Sequence, residues 1–295
     1  MKALTAALAV GTALSALTLT SAPSAGAASA KACGTDRSVG LEAVALTASG
    51  ALLCVDVDDP ADARTLGKVS GLDSGTELIG IDYRPENGKL YGVAKNGSIY
   101  TISAKNAKAT KVATMSETPS GASFGVDFNP VVDRLRIVSD TGQNLRVDVS
   151  NGATTKDTGL TNPVPPPGMG TTEATGVTGA AYTNNDKIAK TDTATTLFDL
   201  DTALDRAAIQ SPANAGTLAP TGKLGINAAA ASGFDVYSSL KGGQARNNVG
   251  YAALSNGTRS SLYRVDLLDG SLKSLGKFTK NKGQIIGLAL PLNQR

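Results

Sequence analysis

The sequence of 295 residues contains no histidine and no tryptophan. Without histidine, the chain lacks the imidazole base of Ser-His-Asp and Cys-His sites, and it lacks every metal centre with an imidazole ligand. The chemistry that remains is that of carboxylates and of hard cations such as Ca²⁺, which bind oxygen ligands. Because no catalytic motif is recognisable, we expect a protein that is not an enzyme.

Clusters of charge of one sign are also missing. The 28 cationic and 25 anionic side chains are scattered along the chain, although the pI is about 8.8. Nucleic-acid-binding proteins concentrate lysine and arginine on one surface. We therefore expect no nucleic-acid partner.

The first 30 residues have the composition of a cleavable secretory signal. Lys2 precedes an uncharged run over residues 3–19, and small residues follow it. We predict a signal peptide over residues 1–30, cleaved near residues 27–30, then a tail over 31–40 and one domain over 41–295. The run is too rich in Ala, Thr and Ser for a membrane span. A secreted, extracellular protein is expected.

The two cysteines, Cys33 and Cys54, would both reach an oxidising compartment. An even number of cysteines in a secreted chain predicts a disulfide, here between the N-terminal tail and the second strand. The alternative is two unpaired thiols, with Cys54 buried as a small apolar residue.

One strand motif, first seen as IGIDYRP at residues 79–85 and as FGVDFNP at 124–130, recurs through the sequence. Its glycines are 45, 54, 54 and 54 residues apart, at positions 80, 125, 179, 233 and 287. Five copies of a second motif, such as LYRVD at 262–266, alternate with them along the chain. Asn-Gly and Asp-Gly dipeptides predict tight hairpins between strands.

Each period supplies about four antiparallel strands, which is one propeller blade. The sequence therefore predicts an all-β, five-bladed β-propeller, with six blades as the alternative count. The chain starts partway through a blade, and residues 284–292 add a lone copy of the glycine motif. We expect this C-terminal strand to complete the N-terminal blade and close the ring. Residues 202–210 are the one segment for which we predict a short amphipathic helix.

The segment FGVDFNPVVDRLRIVSDTGQNLR at residues 124–146 resembles the signature of secreted bacterial proteins known as domain of unknown function 4394. The stretches PANAGTL at 212–218 and GFDV at 233–236 are similar to the same family. The resemblance covers most of residues 41–292. It implies a propeller-like fold and an exported protein, and it carries no assigned reaction.

Two sets of polar residues are candidate sites. Asp82, Asp127 and Asp235 occupy the same place in three glycine motifs, so they could bind Ca²⁺ near the axis. The alternative is that each carboxylate accepts hydrogen bonds from its own turn, and Ala181 and Ala289 interrupt the ring of charge.

The densest polar run is the better candidate for ligand binding: Asp133, Arg134, Arg136, Asp140, Gln143, Asn144 and Arg146. Its alternative role is an Arg-Asp network that joins neighbouring blades.

The leading hypothesis is a secreted, monomeric, non-enzymatic binding module that needs no cofactor. It would recognise an extracellular protein, a glycan or a cell-wall component with one propeller face. A Ca²⁺-dependent hydrolase of the lactonase kind, using the channel carboxylates, and a structural envelope protein are the alternatives.

Overall fold

The structure, a computed structural model, describes Met1 and residues 31–34, 40–186 and 194–292. The predicted signal peptide lies outside the described residues. The described chain forms five antiparallel sheets of four strands, which succeed one another around a central axis. The predicted five-bladed β-propeller is confirmed. No helix in the described ranges has the length and the apolar character that crossing a membrane requires.

The strands of each blade are numbered in chain order and given from the axis outward. The first blade contains β22 (Ile285–Ala289), β1 (Glu42–Thr47), β2 (Ala51–Asp56) and β3 (Asp59–Lys68). The second contains β4 (Leu78–Tyr83), β5 (Leu90–Ala94), β6 (Ser98–Ile102) and β7 (Ala109–Thr114). The third contains β8 (Phe124–Asn129), β9 (Arg134–Ser139), β10 (Asn144–Val147) and β11 (Thr154–Lys156).

The fourth blade contains β14 (Val177–Tyr182), β15 (Leu197–Asp201), β16 (Arg206–Gln210) and β17 (Leu218–Lys223). The fifth contains β18 (Ala229–Lys241), β19 (Gln244–Ser255), β20 (Ser260–Val265) and β21 (Leu272–Lys277). A two-stranded ribbon, β12 (Thr161–Pro163) and β13 (Thr171–Glu173), lies in the long connection between the third and fourth blades. Two short 3-10 helices occupy Ala213–Ala215 and Lys280–Lys282.

The glycine motif forms the inner strand of every blade, and its glycines allow these strands to approach closely. A Cβ on Gly125 would lie 2.4 Å from the backbone nitrogen of Ala180 in the next inner strand. A Cβ on Gly233 would lie 2.7 Å from the carbonyl carbon of Gly287. Any side chain at these positions would push the inner strands apart, which explains why glycine repeats there.

The C-terminal strand closes the ring as predicted. β22 pairs antiparallel with β1, with Val44 opposite Ala289 and Leu46 opposite Gly287. Ile285, Leu288 and Leu290 are buried between the first and fifth blades. The sheet of the first blade is therefore built from both ends of the described domain.

The predicted disulfide joins Cys33 to Cys54 in β2, with their Cα atoms 5.4 Å apart. It fixes the segment before the first blade against that blade. The backbone N–H of Cys33 also donates to the carbonyl of Ala104 in the second blade at 3.1 Å.

The predicted helix over residues 202–210 is wrong. The segment forms a turn followed by β16, whose Ala207 and Ala208 are buried in the fourth blade. The run TALDRAAIQ has helix-forming residues, but pairing with β15 and β17 on either side decides its conformation.

The propeller has two faces, defined here by the direction of the inner strands. The start face carries the first residues of these strands and the turns at 48–50, 95–97 and 140–143. The end face carries their last residues and the turns at 84–89 and 241–244.

Candidate functional site

The three predicted aspartates meet on the axis near the end face. Asp82, Asp127 and Asp235 lie in β4, β8 and β18, and one carboxylate oxygen of each lies within 4.8 Å of the others. Their exposed fractions are 5%, 1% and 1%. We call these three residues the axial triad.

The oxygens of the axial triad satisfy five backbone N–H groups, one from each blade. Asp82 accepts from Tyr83 at 2.6 Å and from Phe128 of the next blade at 2.7 Å. Asp127 accepts from Tyr182 at 3.1 Å. Asp235 accepts from Val236 at 2.6 Å and from Leu290 at 2.5 Å.

This distribution follows from the two alanines in the ring. Where the preceding blade carries an aspartate, that aspartate accepts the N–H of the next inner strand. Where it carries Ala181 or Ala289, the next blade's own aspartate accepts that N–H instead. Three carboxylates thus satisfy five donors, and the sixth oxygen, Asp127 Oδ2, has no hydrogen-bond partner among the described residues.

Burial raises the pKa of each carboxyl group in the axial triad. The pKa of Asp235 rises to about 7. The pKa values of Asp82 and Asp127 are also raised, first by burial and then by the negative charge of the other aspartates. No lysine or arginine is among the groups that shift these three pKa values.

The seven residues of the predicted ligand site do not lie together. Asp133 and Arg134 are on the end face, at the start of β9, whereas Asp140 and Gln143 are in the start-face turn after it. Arg136 lies in β9, between these two ends. The length of β9 therefore separates the predicted site into three groups.

Arg136 is the centre of a buried network between the third and fourth blades. Its Nη1 donates to Asn144 Oδ1 and to Asp157 Oδ2, at 2.7 Å each, and its Nη2 donates to Asn214 Oδ1 at 2.7 Å. Arg146 donates to both oxygens of Asp157. Burial opposes ionisation of Asp157, but the hydrogen bonds from Arg146 and Arg136 outweigh it and lower the pKa of this carboxyl group.

The other predicted ligand residues also have partners within the chain. Asp133 forms an ion pair with Arg84 of the second blade, and Arg134 forms one with Asp148. The remaining two residues hold the start-face loops: Asp140 accepts from the backbone N–H of Ala122, and Gln143 accepts from that of Ser120. Gln143 and Asn144 line a start-face cleft of about 490 Å³.

A larger cleft, of about 770 Å³, lies on the end face between the fourth and fifth blades. We call it the end-face cleft. Three exposed cationic side chains line it, from Arg246, Arg264 and Lys273, together with the exposed Leu268. Its acidic residue is Asp266, whose Oδ1 accepts a hydrogen bond from Leu268 N at 2.9 Å.

Sequence reasoning missed the end-face cleft because its residues are far apart in the chain and match no motif. One signal was available. β18 and β19 have 13 and 12 residues, whereas the two innermost strands of every other blade have five or six residues each, so this hairpin extends beyond the repeat on the end face. Arg246 lies on that extension.

Comparison with known proteins gives a family and a set of solved structures. A family model described as a domain of unknown function (DUF4394) matches residues 51–289. Among curated proteins, none matches the sequence.

The similar solved structures have low sequence identity to this chain. A protein of unknown function from Bacteroides thetaiotaomicron VPI-5482 is 14% identical, with a TM-score of 0.43, over 83% of this chain and 62% of that one. An auxiliary nutrient binding protein from Bacteroides ovatus ATCC 8483 is 14% identical, with a TM-score of 0.40, over 78% of this chain and 57% of that one. The chain thus spans less than two thirds of either protein.

Proposed function

We propose that the chain, which belongs to the DUF4394 family, is a non-enzymatic extracellular binding module. Its end-face cleft binds an anionic cell-wall polymer. The observation that carries the proposal is the charge of this cleft. Three exposed cationic side chains line it against one carboxylate, and that carboxylate already accepts a hydrogen bond from its own turn. The Cys33–Cys54 disulfide supports an oxidising, extracellular location.

The side chains of the end-face cleft suit a polymer that carries both negative charges and hydroxyl groups. Arginine and lysine bind carboxylates and phosphates through charge-assisted hydrogen bonds. Among the described residues, the side chain of Asn247 has no hydrogen-bond partner, so its amide is available to a hydroxyl group. Leu268, 76% exposed, offers an apolar contact beside these groups.

A hydrolase that uses the channel carboxylates has less support. The axial triad is at least 95% buried, and on its start-face side the glycines of the inner strands leave a cavity of only about 10 Å³. A single water molecule needs about that volume. A substrate has no space beside these carboxylates from that side of the channel.

Sedimentation with isolated bacterial cell walls tests the proposal. The mature protein should sediment with intact walls, and it should remain in solution when the anionic polymers have been extracted from them. Binding should weaken as salt is added, because exposed ionic contacts are screened.

A double variant tests the position of the site. Arg246→Ala with Lys273→Ala should lower wall binding about tenfold or more, since each charge-assisted contact contributes about 1 kcal/mol or more. The matched control is Lys68→Ala with Lys156→Ala, which removes the same charge from exposed residues at the start-face ends of β3 and β11. A loss of binding in the control alone would place the site on the start face. An equal loss in both variants would show that binding depends only on the net charge of the protein.

A further inference from the structure

The axial triad concentrates three carboxyl groups, and no lysine or arginine among the described residues forms a hydrogen bond or an ion pair with them. Two of the three residues are 1% exposed, and the groups that shift their pKa values include no lysine or arginine. Five backbone N–H groups stabilise the oxygens, but an N–H dipole does not neutralise a charge. Buried carboxylates without a counter-charge require protons or a bound cation.

One oxygen of the triad is left without a donor. Asp127 Oδ1 accepts from Tyr182 N, whereas Oδ2 is buried and has no hydrogen-bond partner among the described residues. One oxygen of Asp127 lies within 4.8 Å of an oxygen of Asp82 and of an oxygen of Asp235, so its carboxyl group faces the other members of the triad. An unpartnered, buried oxygen directed into a group of carboxylates is an observation separate from the acidity of the cluster, and it indicates a ligand there.

From these contacts we propose that the axial triad binds one Ca²⁺ ion on the propeller axis. The ligand oxygens lie within 4.8 Å of one another, which is twice a typical Ca²⁺–O distance of about 2.4 Å. Mg²⁺ prefers bonds of about 2.0–2.1 Å and loses its water reluctantly, so it fits this enclosed position less well. The ion has a structural role, since it connects inner strands of the second, third and fifth blades.

Because the site is enclosed, the ion has to enter while the ring is open. The test therefore unfolds the mature chain in denaturant with a chelator, keeping the disulfide intact, and refolds it with Ca²⁺, with Mg²⁺ or with the chelator alone. After desalting, the metal content is measured by mass spectrometry, and the melting temperature by circular dichroism. Protein refolded with Ca²⁺ should retain one ion per chain and melt about 5–10 °C above protein refolded with the chelator.

Two variants complete the test. Asp127→Asn retains an oxygen for Tyr182 N but removes the charge and the unpartnered carboxylate oxygen, so it should fold and lose the bound Ca²⁺. Asp199→Asn is the control, because Asp199 is another buried, unpartnered aspartate, outside the triad, and this variant should retain the ion. The proposal is overturned if wild-type protein retains no Ca²⁺, if Mg²⁺ binds equally well, or if Asp127→Asn binds Ca²⁺ as wild type does.

Discussion

The axial triad and the end-face cleft both contain charged side chains, but they differ in the partners that these side chains have within the protein. At the axis, five of six carboxylate oxygens accept backbone N–H groups from the surrounding strands. In the end-face cleft, Arg246, Arg264 and Lys273 are exposed and form no ion pair with a described residue. Charge at the axis therefore completes the fold, whereas charge in the cleft is available to a ligand.

The largest effect is expected from opening the ring. Deletion of residues 284–295 removes β22 together with Ile285, Leu288 and Leu290, each of which contributes roughly 1.5–3 kcal/mol when buried. The total is comparable with the whole stability of a typical domain, about 5–15 kcal/mol. We expect no cooperative unfolding transition by circular dichroism.

A circular permutant is the control for this deletion. It begins at Gln284, and a flexible linker joins the original C-terminus to residue 31, so that β22 precedes β1. This permutant should unfold cooperatively, as the parent does. A deletion variant that melts at the full-length temperature would contradict ring closure by β22.

The next largest effect is expected within the axial triad, where the number of satisfied N–H groups ranks the residues. Asp235→Ala leaves two buried N–H groups unsatisfied, those of Val236 and Leu290, whereas Asp127→Ala leaves only that of Tyr182. At about 1–3 kcal/mol for each group, Asp235→Ala should cost more of the free energy of unfolding. Denaturant unfolding in the presence of a chelator measures both, and equal losses would show that N–H satisfaction does not set the cost.

Removal of the disulfide should have a smaller effect. Cys33→Ala with Cys54→Ala frees a loop with a sequence separation of 21 residues, which in the chain-entropy model costs about 3 kcal/mol. Urea unfolding should show this loss with wall binding unchanged. Reduced wild-type protein is the matched control, and a double variant as stable as oxidised wild type would contradict the prediction.

The smallest effect concerns Asp199 in β15, whose two oxygens are buried without partners among the described residues. Burial raises its pKa well above the ordinary 3.8, and the charge of Arg136 opposes this shift only in part. The stability that its proton contributes is present below the unfolded-state pKa and is lost as the pH rises through the folded-state pKa. Wild type should therefore lose more stability than Asp199→Asn when the pH is raised from about 4 to about 8. Parallel pH profiles would show that Asp199 does not titrate in this range.

The repeat made most of the fold predictable. The glycine motif marks the inner strand of each blade because neighbouring backbones meet there, as at Gly125 and Ala180, and no other residue fits that distance. The failure at residues 202–210 has the opposite cause. Local propensity there favours a helix, and the partner strands that override it lie outside the segment.

The candidate sites were less predictable. The repeated motif was enough to predict that Asp82, Asp127 and Asp235 lie near the axis. Which aspartate accepts each of the five N–H groups depends on Ala181 and Ala289, which belong to other blades. The polar run at 133–146 is continuous in sequence, yet β9 carries its two ends to opposite faces. Residues that are close in the sequence therefore do not all lie close together in space.

The pairing of β22 with β1 has a consequence for the order of events during synthesis. β1, β2 and β3 leave the ribosome first, but the sheet they belong to lacks its inner strand until Ile285–Ala289 has been translated. The other four blades contain only strands that are consecutive in the four-stranded sheets and can form as they emerge. The blade that is made first is thus the last to be finished, and until then the nascent chain exposes an unpaired edge of β1.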